Sequence, residues 1–462
     1  MPARRALYVG PRLRRLRRDL GITQAQMAAD LEVSASYVAL IERNQRPLTA
    51  ELLLRLAEAF DVNLKSLTEG EGAEARLEGV FADPLLRDLD IAPGEVADVA
   101  GGSPGVAEGL LRLFTAYKEA QLELADRRGG TTPQDDPLAG LRAFLDARRN
   151  HFPVLDERAE RLAGRAENAG GLTAYLQDRH GLAVRLMPPE VMNGAVRRYD
   201  LHRRALLLDD GLDSAARRFQ TALQIAYLDL ADPIDAGVSE GRLEDEATAR
   251  LARRAVASYA AGALMMPYGA FHREAEARGY DVEALGRRFG ASFEQVAHRM
   301  TTLQRPNASG VPFFFVRVDA AGNVSKRLDG AGNPFARHGG SCPLWSLHTV
   351  FTRPREVVCE TVELPGGERF FTIARTVTQG GGAWGARAVT RAVALGCAAD
   401  QAHRLVYARG LDVAAGPATP IGTSCRLCQR ADCLARAAPP IGRTILPDDY
   451  RRMGVPFGLA DG

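Results

Sequence analysis

All six cysteines of this 462-residue chain lie after residue 340, and three of them stand close together as Cys425, Cys428 and Cys433. A CxxC pair followed by a third thiol after a short loop needs only one remote cysteine to complete a set of four sulfur donors. Thiolates are soft ligands, and four of them around one point suit an iron–sulfur cluster or a zinc ion. The cysteines therefore constrain the C-terminal region to fold a distant segment back onto its own end.

Cys342 is the best candidate for the remote ligand, because residues 339–345 read Gly-Gly-Ser-Cys-Pro-Leu-Trp and predict a turn that can direct a side chain at a buried centre. Three interpretations stay open: an iron–sulfur cluster, a structural zinc ion, and free or redox-switching thiols. Cys359 and Cys397 lie in an alternating and a small-residue segment, and we expect them to be buried rather than ligands. We do not expect a secreted disulfide scaffold, because the chain is long and its residues 1–341 contain no cysteine.

Charge and hydropathy indicate where the chain meets its partners. Residues 1–65 contain eleven Lys or Arg against seven Asp or Glu, a balance of 11 − 7 = +4, although the whole chain carries only +2. The basic N-terminal region is thus the candidate for a polyanionic partner. No run of eighteen apolar residues exists, and no apolar stretch follows the first charges. We therefore expect no membrane span, no secretory signal and a cytoplasmic location.

Residues 10–66 have the pattern of a small helical domain. A basic helix is predicted at residues 11–20; Thr23, with Gln26 three residues later, forms a capping box for a helix over 24–31. Ser34 then caps a helix over 35–43. Two short capped helices separated by a tight turn are typical of a helix-turn-helix motif.

The second of these helices would enter the major groove and the surrounding polar groups would meet phosphates. The residues predicted to contact DNA are Thr23, Gln24, Ser34, Ser36, Tyr37, Asn44 and Arg46. The string Gly-Ile-Thr-Gln-Ala-Gln-Met-Ala, followed by Val-Ser-Ala-Ser-Tyr-Val-Ala-Leu-Ile-Glu-Arg-Asn-Gln-Arg-Pro-Leu, resembles the phage-repressor-like (XRE-type) helix-turn-helix family. The resemblance implies sequence-specific binding to double-stranded operator DNA, generally as a dimer.

Residues 151–305 are predicted to begin with strands at 182–187 and 197–208 and to continue with two long helices, the second ending in Met-Pro. This order resembles the ImmA/IrrE-type zinc metallopeptidases. That family needs His-Glu-x-x-His on the first helix and an acidic ligand on the later one. The corresponding positions here hold Leu223, Gln224, Tyr227 and Val256. We therefore expect the zincin-like fold without hydrolytic chemistry, and no catalytic residue.

The last third is predicted to contain strands at 311–318, 356–364 and 369–377 and a helix at 389–409. Together with the N-terminal features, the segments Gly-Gly-Ser-Cys-Pro-Leu-Trp and Gly-Thr-Ser-Cys-Arg-Leu-Cys-Gln-Arg-Ala-Asp-Cys resemble the short-chain fatty acyl transcriptional regulators from end to end. The resemblance implies control of propionate (methylcitrate) and glyoxylate pathway genes and an acyl-CoA effector. It also implies a [4Fe–4S] cluster on Cys342, Cys425, Cys428 and Cys433, with zinc as the alternative.

Few residues point to the effector. Arginines can pair with CoA phosphates and tryptophans can stack on adenine, although most such residues are surface or core residues. The candidates are Arg353, Arg355, Arg375, Arg387, Trp345 and Trp384.

The sequence thus predicts a multidomain α+β protein. It comprises an all-α helix-turn-helix domain (1–70), a helical linker (71–150), a degenerate α+β peptidase-like domain (151–305) and an α+β cysteine-containing sensor domain (306–462). The expected function is that of a homodimeric or higher oligomeric transcriptional regulator rather than an enzyme. A metal-dependent peptidase or a toxin–antitoxin regulator is the alternative.

Overall fold

The computed structural model describes residues 10–20, 22–43, 71–81, 89–103, 137–243, 245–330, 342–381 and 387–440. It also describes scattered positions at 45–60, 83–86 and 105–120, and residues 385, 445, 450 and 453–458. The chain divides into two compact units, one formed by residues 1–129 with 442–444 and the other by 130–441 with 445–462. None of the described helices is long and apolar enough to span a membrane.

The first unit begins with the three expected short helices, α1 (Gly10–Asp19), α2 (Gln24–Asp30) and α3 (Ala35–Glu42). Both predicted caps are confirmed. Thr23 and Gln26 form a reciprocal capping box, and the Ser34 hydroxyl accepts a hydrogen bond from the backbone N–H of Tyr37. The helices bury a common core that includes Leu13, Met27, Leu31, Val38 and Ile41.

Two further helices follow in this unit, α4 (Glu71–Phe81) and α5 (Pro93–Gly102). They share a second small core that includes Leu77, Val80 and Val96. The region expected to be a helical linker thus has a hydrophobic core of its own.

The second unit opens with α6 (Pro137–Asp146), α7 (Pro153–Asn168) and α8 (Leu172–His180). A three-stranded sheet follows, with order β1-β3-β2, in which β1 is parallel and β2 antiparallel to β3. Its elements are β1 (Ala183–Met187), the short α9 (Pro189–Met192), β2 (Arg197–Asp200) and β3 (Ala205–Asp209). The single strand expected at 197–208 is therefore two, because the Asp200 carboxylate accepts the backbone N–H of Arg203 and starts a turn.

Six helices cover this sheet and the space beside it. They are α10 (Ser214–Asp229), α11 (Ala231–Ser239), α12 (Glu246–Met265), α13 (Tyr268–Ala277), α14 (Val282–Phe289) and α15 (Phe293–Met300). Helix α12 packs against α7, α10 and α11 and lies at the centre of the core. The two long helices that the sequence predicted are α10 and α12.

A six-stranded sheet of order β5-β4-β8-β7-β6-β9 forms the last third, antiparallel except where β9 lies beside β6. Its strands are β4 (Phe314–Val318), β5 (Val324–Asp329), β6 (Val358–Glu363), β7 (Arg369–Gly380), β8 (Ala388–Ala398) and β9 (Thr419–Pro420). One face packs on the helical core through side chains such as Phe315 and Leu395, and the other face holds Phe314 and Trp345. The expected multidomain α+β class is confirmed.

The helix predicted at 389–409 is wrong. Residues 388–398 form β8, and two 3₁₀ helices, Ala399–Arg404 and Val406–Ala408, follow. Strand β8 lies between β4 and β7, and its residues 392–397 are buried on both faces, so this part of the strand is continuously apolar and lacks the alternation of a half-exposed strand. Such a run cannot be distinguished from a buried helix by its periodicity.

Candidate functional site

The four predicted cysteine ligands line one small cavity of about 20 Å³. Cys342 stands before a 3₁₀ turn under the sheet, and the other three follow β9. The Cys342 sulfur accepts hydrogen bonds from the backbone N–H groups of Gly422 and Leu344; burial nevertheless raises the pKa of its thiol. The fold therefore brings Cys342 across roughly eighty residues to the CxxC segment, as the sequence predicted.

Gly422 is central to this arrangement. A Cβ at this position would lie 2.9 Å from Cys428 Cβ and 3.0 Å from its sulfur, so only glycine permits the close approach. Its N–H contacts Cys342 at the same time. Gly422 thus joins the remote cysteine to the CxxC pair.

Arg436 closes the other side of the cavity. Its guanidinium is buried and donates hydrogen bonds to the carbonyl oxygens of Cys425 and Cys428, both at 3.0 Å, and to the carbonyl of Arg430. The backbone N–H of Ala437 donates to the Cys425 sulfur at 3.4 Å. A buried positive charge and an N–H directed at sulfur are suited to thiolate groups.

The donor set at this cavity consists of sulfur atoms alone, and this chemistry fits an iron–sulfur cluster or zinc. Within the part of the chain that the structure describes, no group of three or more His, Cys, Asp or Glu side chains is placed so that it could hold a metal ion as it stands. Cys359 and Cys397 lie elsewhere, in β6 and β8. Burial raises the pKa of the first to about 11 and of the second to about 12.

The residues predicted to contact DNA differ in their exposure and in their contacts with the rest of the helix-turn-helix. Ser36 and Arg46 are exposed, and Ser34 and Ser36 share a hydrogen bond of 3.0 Å between their hydroxyls. Tyr37 is half-buried against the helical core. Asn44 lies outside the described residues.

The sequence did not reveal Glu42, whose carboxylate is buried and binds Arg17 at 2.6 Å and the Gln24 amide at 2.7 Å. Burial raises the pKa of Glu42, but the hydrogen bonds from Arg17 and Gln24 outweigh it, so the pKa is lowered. One amide N–H of Gln24 is therefore used in a hydrogen bond that links α2 to α3.

The former zinc-binding positions form an apolar and cationic cluster. Leu223, Gln224 and Val256 are buried, and the side chain of Arg197 donates a hydrogen bond to the Gln224 amide oxygen. The guanidinium of Arg197 also lies 5.3 Å from the ring centroid of Tyr227. A guanidinium thus lies beside the positions at which the resemblance would place a metal ion and its catalytic water.

A larger cavity of about 370 Å³ opens between α10, α12 and α15 on one side and the six-stranded sheet on the other. Leu212, Phe219 and Met266 give it apolar surface, and Arg317 and Arg391 give it positive charge. A second cavity of about 310 Å³ lies under α6 and against β5. The residues that line both cavities are Ser258, Tyr259, His298, Arg317 and Lys326.

The structure places none of the described effector candidates in these cavities. Arg353 is exposed and pairs with Glu356 at 3.4 Å, Arg375 pairs with Glu283 at 2.8 Å, and Arg387 is exposed. Trp384 lies outside the described residues.

The other two candidates of the sequence are also elsewhere. Trp345 is a core residue whose indole N–H donates to the Thr372 hydroxyl. Arg355 is exposed, and its backbone N–H donates to Thr376. The sequence did not indicate three residues that line both cavities, Lys326, Arg317 and His298. The two strands and the helix that carry them meet only in the folded chain.

Comparison with known proteins agrees with this organisation. Residues 13–67 match the family described as helix-turn-helix, residues 177–301 the IrrE N-terminal-like domain, and residues 302–457 the short-chain fatty acyl coenzyme A regulator C-terminal domain. The chain is also similar to a solved structure, a Mycobacterium tuberculosis transcriptional regulator, with a TM-score of 0.66 and 36% identity. The match covers 70% of this chain and 99% of that one.

Relatives match over nearly their whole length. The HTH-type transcriptional regulator RamB of Mycobacterium tuberculosis is 37% identical over 97% of this chain and 98% of its own. PrpR, another HTH-type transcriptional regulator of that organism, is 36% identical over 98% of this chain and 96% of its own. The propionyl-CoA carboxylase regulator of Cereibacter sphaeroides is 36% identical over 98% and 99%. This chain belongs to the family of short-chain fatty acyl coenzyme A regulators, which are helix-turn-helix transcriptional regulators.

Proposed function

We propose that this protein binds operator DNA through its helix-turn-helix, responds to a short-chain acyl-CoA, and controls genes of short-chain fatty acid metabolism from the cytoplasm. The proposal of an acyl-CoA effector rests on the pair of adjoining cavities. Their volumes suit a small-molecule ligand, and their lining suits one that is both apolar and anionic. Basic side chains on their common wall suit the phosphates, and the apolar surface suits the acyl end. The names of the propionyl-CoA carboxylase regulator and of the matched C-terminal family support the same ligand class.

The effector is tested by calorimetry on the full-length protein with propionyl-CoA and acetyl-CoA. We expect saturable heat that is reduced by Arg317→Met, because Arg317 lines both cavities. Arg353→Met is the matched control, since Arg353 is exposed and outside both. No heat from either thioester, or equal loss in both variants, would remove acyl-CoA from these cavities.

DNA binding is tested by two substitutions of different character. Arg46→Ala should weaken binding to every sequence and reduce the salt dependence by roughly one phosphate contact. Ser36→Ala should instead change the sequence preference, because Ser36 lies exposed at the start of α3. Unchanged affinity and preference in both would place the DNA contact elsewhere. A dimer on two half-sites is part of this proposal.

We also propose that Cys342, Cys425, Cys428 and Cys433 hold a [4Fe–4S] cluster, supported by their common cavity and by the all-sulfur donor set. When bound, such a cluster supplies an oxidation-sensitive link between its four ligands. Single Ser replacements at these cysteines should each lose iron and visible absorbance after anaerobic purification, while Cys359→Ser and Cys397→Ser should retain both. Stoichiometric zinc without iron would establish the zinc alternative.

We propose no peptidase activity. Leu223 and Val256 offer no metal ligand, and the Gln224 amide is bonded to Arg197 instead of acting as a base. Incubation with protein substrates and zinc should leave the substrates intact, and chelator-sensitive cleavage would contradict this.

A further inference from the structure

Lys326 lies at the point that the two adjoining cavities share. It is one of three lysines in the chain, with Lys65 and Lys118, among 59 basic residues. Strand β5 places it opposite Arg317 on β4, and α6 packs against the same strand. Because Lys326 lines both cavities, a ligand that extends from one into the other must pass its side chain.

The surroundings of Lys326 lower the pKa of its amine and so raise its neutral fraction. Burial, opposed by the charge of Glu294 and assisted by that of Arg317, lowers the pKa of Lys326 to about 8. The Glu294 carboxylate is engaged by Arg317 at 2.7 Å. At neutral pH, an amine with such a pKa is unprotonated about two orders of magnitude more often than an ordinary lysine.

A proton acceptor lies in the same wall. His298 lines both cavities, and its ring meets Phe315 edge-on with the centroids 6.2 Å apart. Burial, together with the charges of Lys326, Arg299 and Arg317, lowers the pKa of His298 well below its usual value. Its imidazole is therefore neutral at neutral pH and, as a weak base, can carry a proton only transiently.

We propose that Lys326 is an acyl-acceptor site, to which a short-chain acyl-CoA held in the joined cavities transfers its acyl group. The proposal rests on the proposed function, because it needs a thioester in these cavities. The Lys326 nitrogen attacks the thioester carbonyl carbon, the carbon–sulfur bond breaks, and an amide forms. The proton released from nitrogen, carried by His298, neutralises the leaving CoA thiolate, so that one amide and one CoA thiol result without any further reactant.

The reaction would change the cavity lastingly. Conversion of the amine to an amide removes a positive charge from the wall that holds Arg317, and the bound acyl group no longer dissociates with CoA. The protein would then keep a record of acyl-CoA exposure after the free effector is gone.

The experiment incubates the full-length protein with propionyl-CoA, measures the intact mass, and maps the modified residue by peptide sequencing. We expect one propionyl group on Lys326 that resists hydroxylamine, and at least about tenfold less at Lys65 and Lys118, if the lowered amine pKa of Lys326 sets its reactivity. Lys326→Arg keeps the charge and should lose the modification, whereas Lys118→Arg should retain it. A non-transferable thioether analogue should bind with similar heat and give no adduct.

Calorimetry on the same samples separates this inference from the proposed function. Saturable heat from propionyl-CoA without an adduct, or with equal adducts on all three lysines, would overturn the assignment of Lys326 alone. Absence of heat would overturn the acyl-CoA effector and this inference with it. A hydroxylamine-sensitive adduct would place the acyl group on a cysteine and would also overturn Lys326.

Discussion

Arg436 supports the cysteine loop, because its buried guanidinium donates hydrogen bonds to three backbone carbonyls. Arg436→Met leaves those carbonyls without their donor, which costs about 3 kcal/mol if each contributes about 1 kcal/mol. We expect a lower midpoint of thermal unfolding and a lower iron content after anaerobic reconstitution. Arg426→Met is the matched control, because Arg426 is an exposed residue of the same loop. Equal iron retention in both variants would contradict a positioning role for Arg436.

Asp156 and Arg299 form a buried ion pair with an N–O distance of 2.6 Å, and the Tyr259 hydroxyl also donates to Asp156. Burial raises the pKa of Asp156, but the Arg299 guanidinium, assisted by hydrogen bonds, outweighs it and the pKa is lowered. A depressed pKa stabilises the fold above the unfolded-state pKa of about 3.9, and this contribution is lost as the pH falls through the folded value.

Asp156→Asn should therefore lower the free energy of unfolding by about 3–5 kcal/mol at neutral pH, because it leaves Arg299 as an uncompensated buried charge. The difference from the unchanged protein should begin to narrow below about pH 3.9, where the unfolded carboxyl is protonated, and should continue to narrow as the pH falls through the lowered pKa of the folded carboxylate. The control is Asp235→Asn, which breaks a half-exposed pair with Arg253 and should cost less than about 1 kcal/mol. Denaturant titrations across this pH range measure both variants.

At the scale of elements, local signals predicted local structure. Thr23 and Ser34 begin helices because their hydroxyls accept N–H groups within three residues, and that information is wholly contained in a short window. Strand β8 was predicted as a helix because its apolar run reflects pairing with β4 and β7. These strands are distant in the sequence, so no short window around β8 contains that information. The cysteines could be grouped from the sequence because the chain has only six, and three of them stand close together. Lys326 and His298 belong to different elements, and no sequence spacing relates them.

Gly396 shows how tightly β8 is packed. Any Cβ at this position would overlap the ring of Phe314, which lies opposite Gly396 on the neighbouring strand β4. Gly396→Ala should destabilise the six-stranded sheet by about 1–3 kcal/mol, because the Phe314 ring must leave its preferred position. Ala398→Ser on the exposed end of β8 is the control and should change stability by less than about 0.5 kcal/mol. Adding Phe314→Leu should recover part of the loss, and thermal unfolding of the three variants decides between packing and a backbone effect.

For the molecule as a whole, the proposed function requires that acyl-CoA binding in the second unit and DNA binding in the first be coupled. The chain passes between the two units after residue 129 and again on either side of residues 442–444. Helix α6 lines the second cavity and is the first described element after the first of these crossings. Side chains of α6 such as Leu141 and Leu145 therefore meet a bound ligand at the start of the unit. A ligand that displaces α6 would therefore act next to one of the segments that join the two units.

Linkage makes this coupling measurable in both directions. If propionyl-CoA changes the operator affinity of the full-length protein by a given factor, operator DNA must change the affinity for propionyl-CoA by the same factor, typically 5–150-fold or about 1–3 kcal/mol. A fragment beginning at residue 130 corresponds to the second compact unit and should bind propionyl-CoA with an affinity that operator DNA leaves unchanged. Leu141→Ala should keep ligand binding within a few-fold but reduce the coupling factor, since it removes contact with α6 and leaves the basic wall intact. Equal coupling in the variant would show that the signal passes through another route, and unequal factors in the two directions would mean that a further equilibrium, such as oligomerisation, takes part.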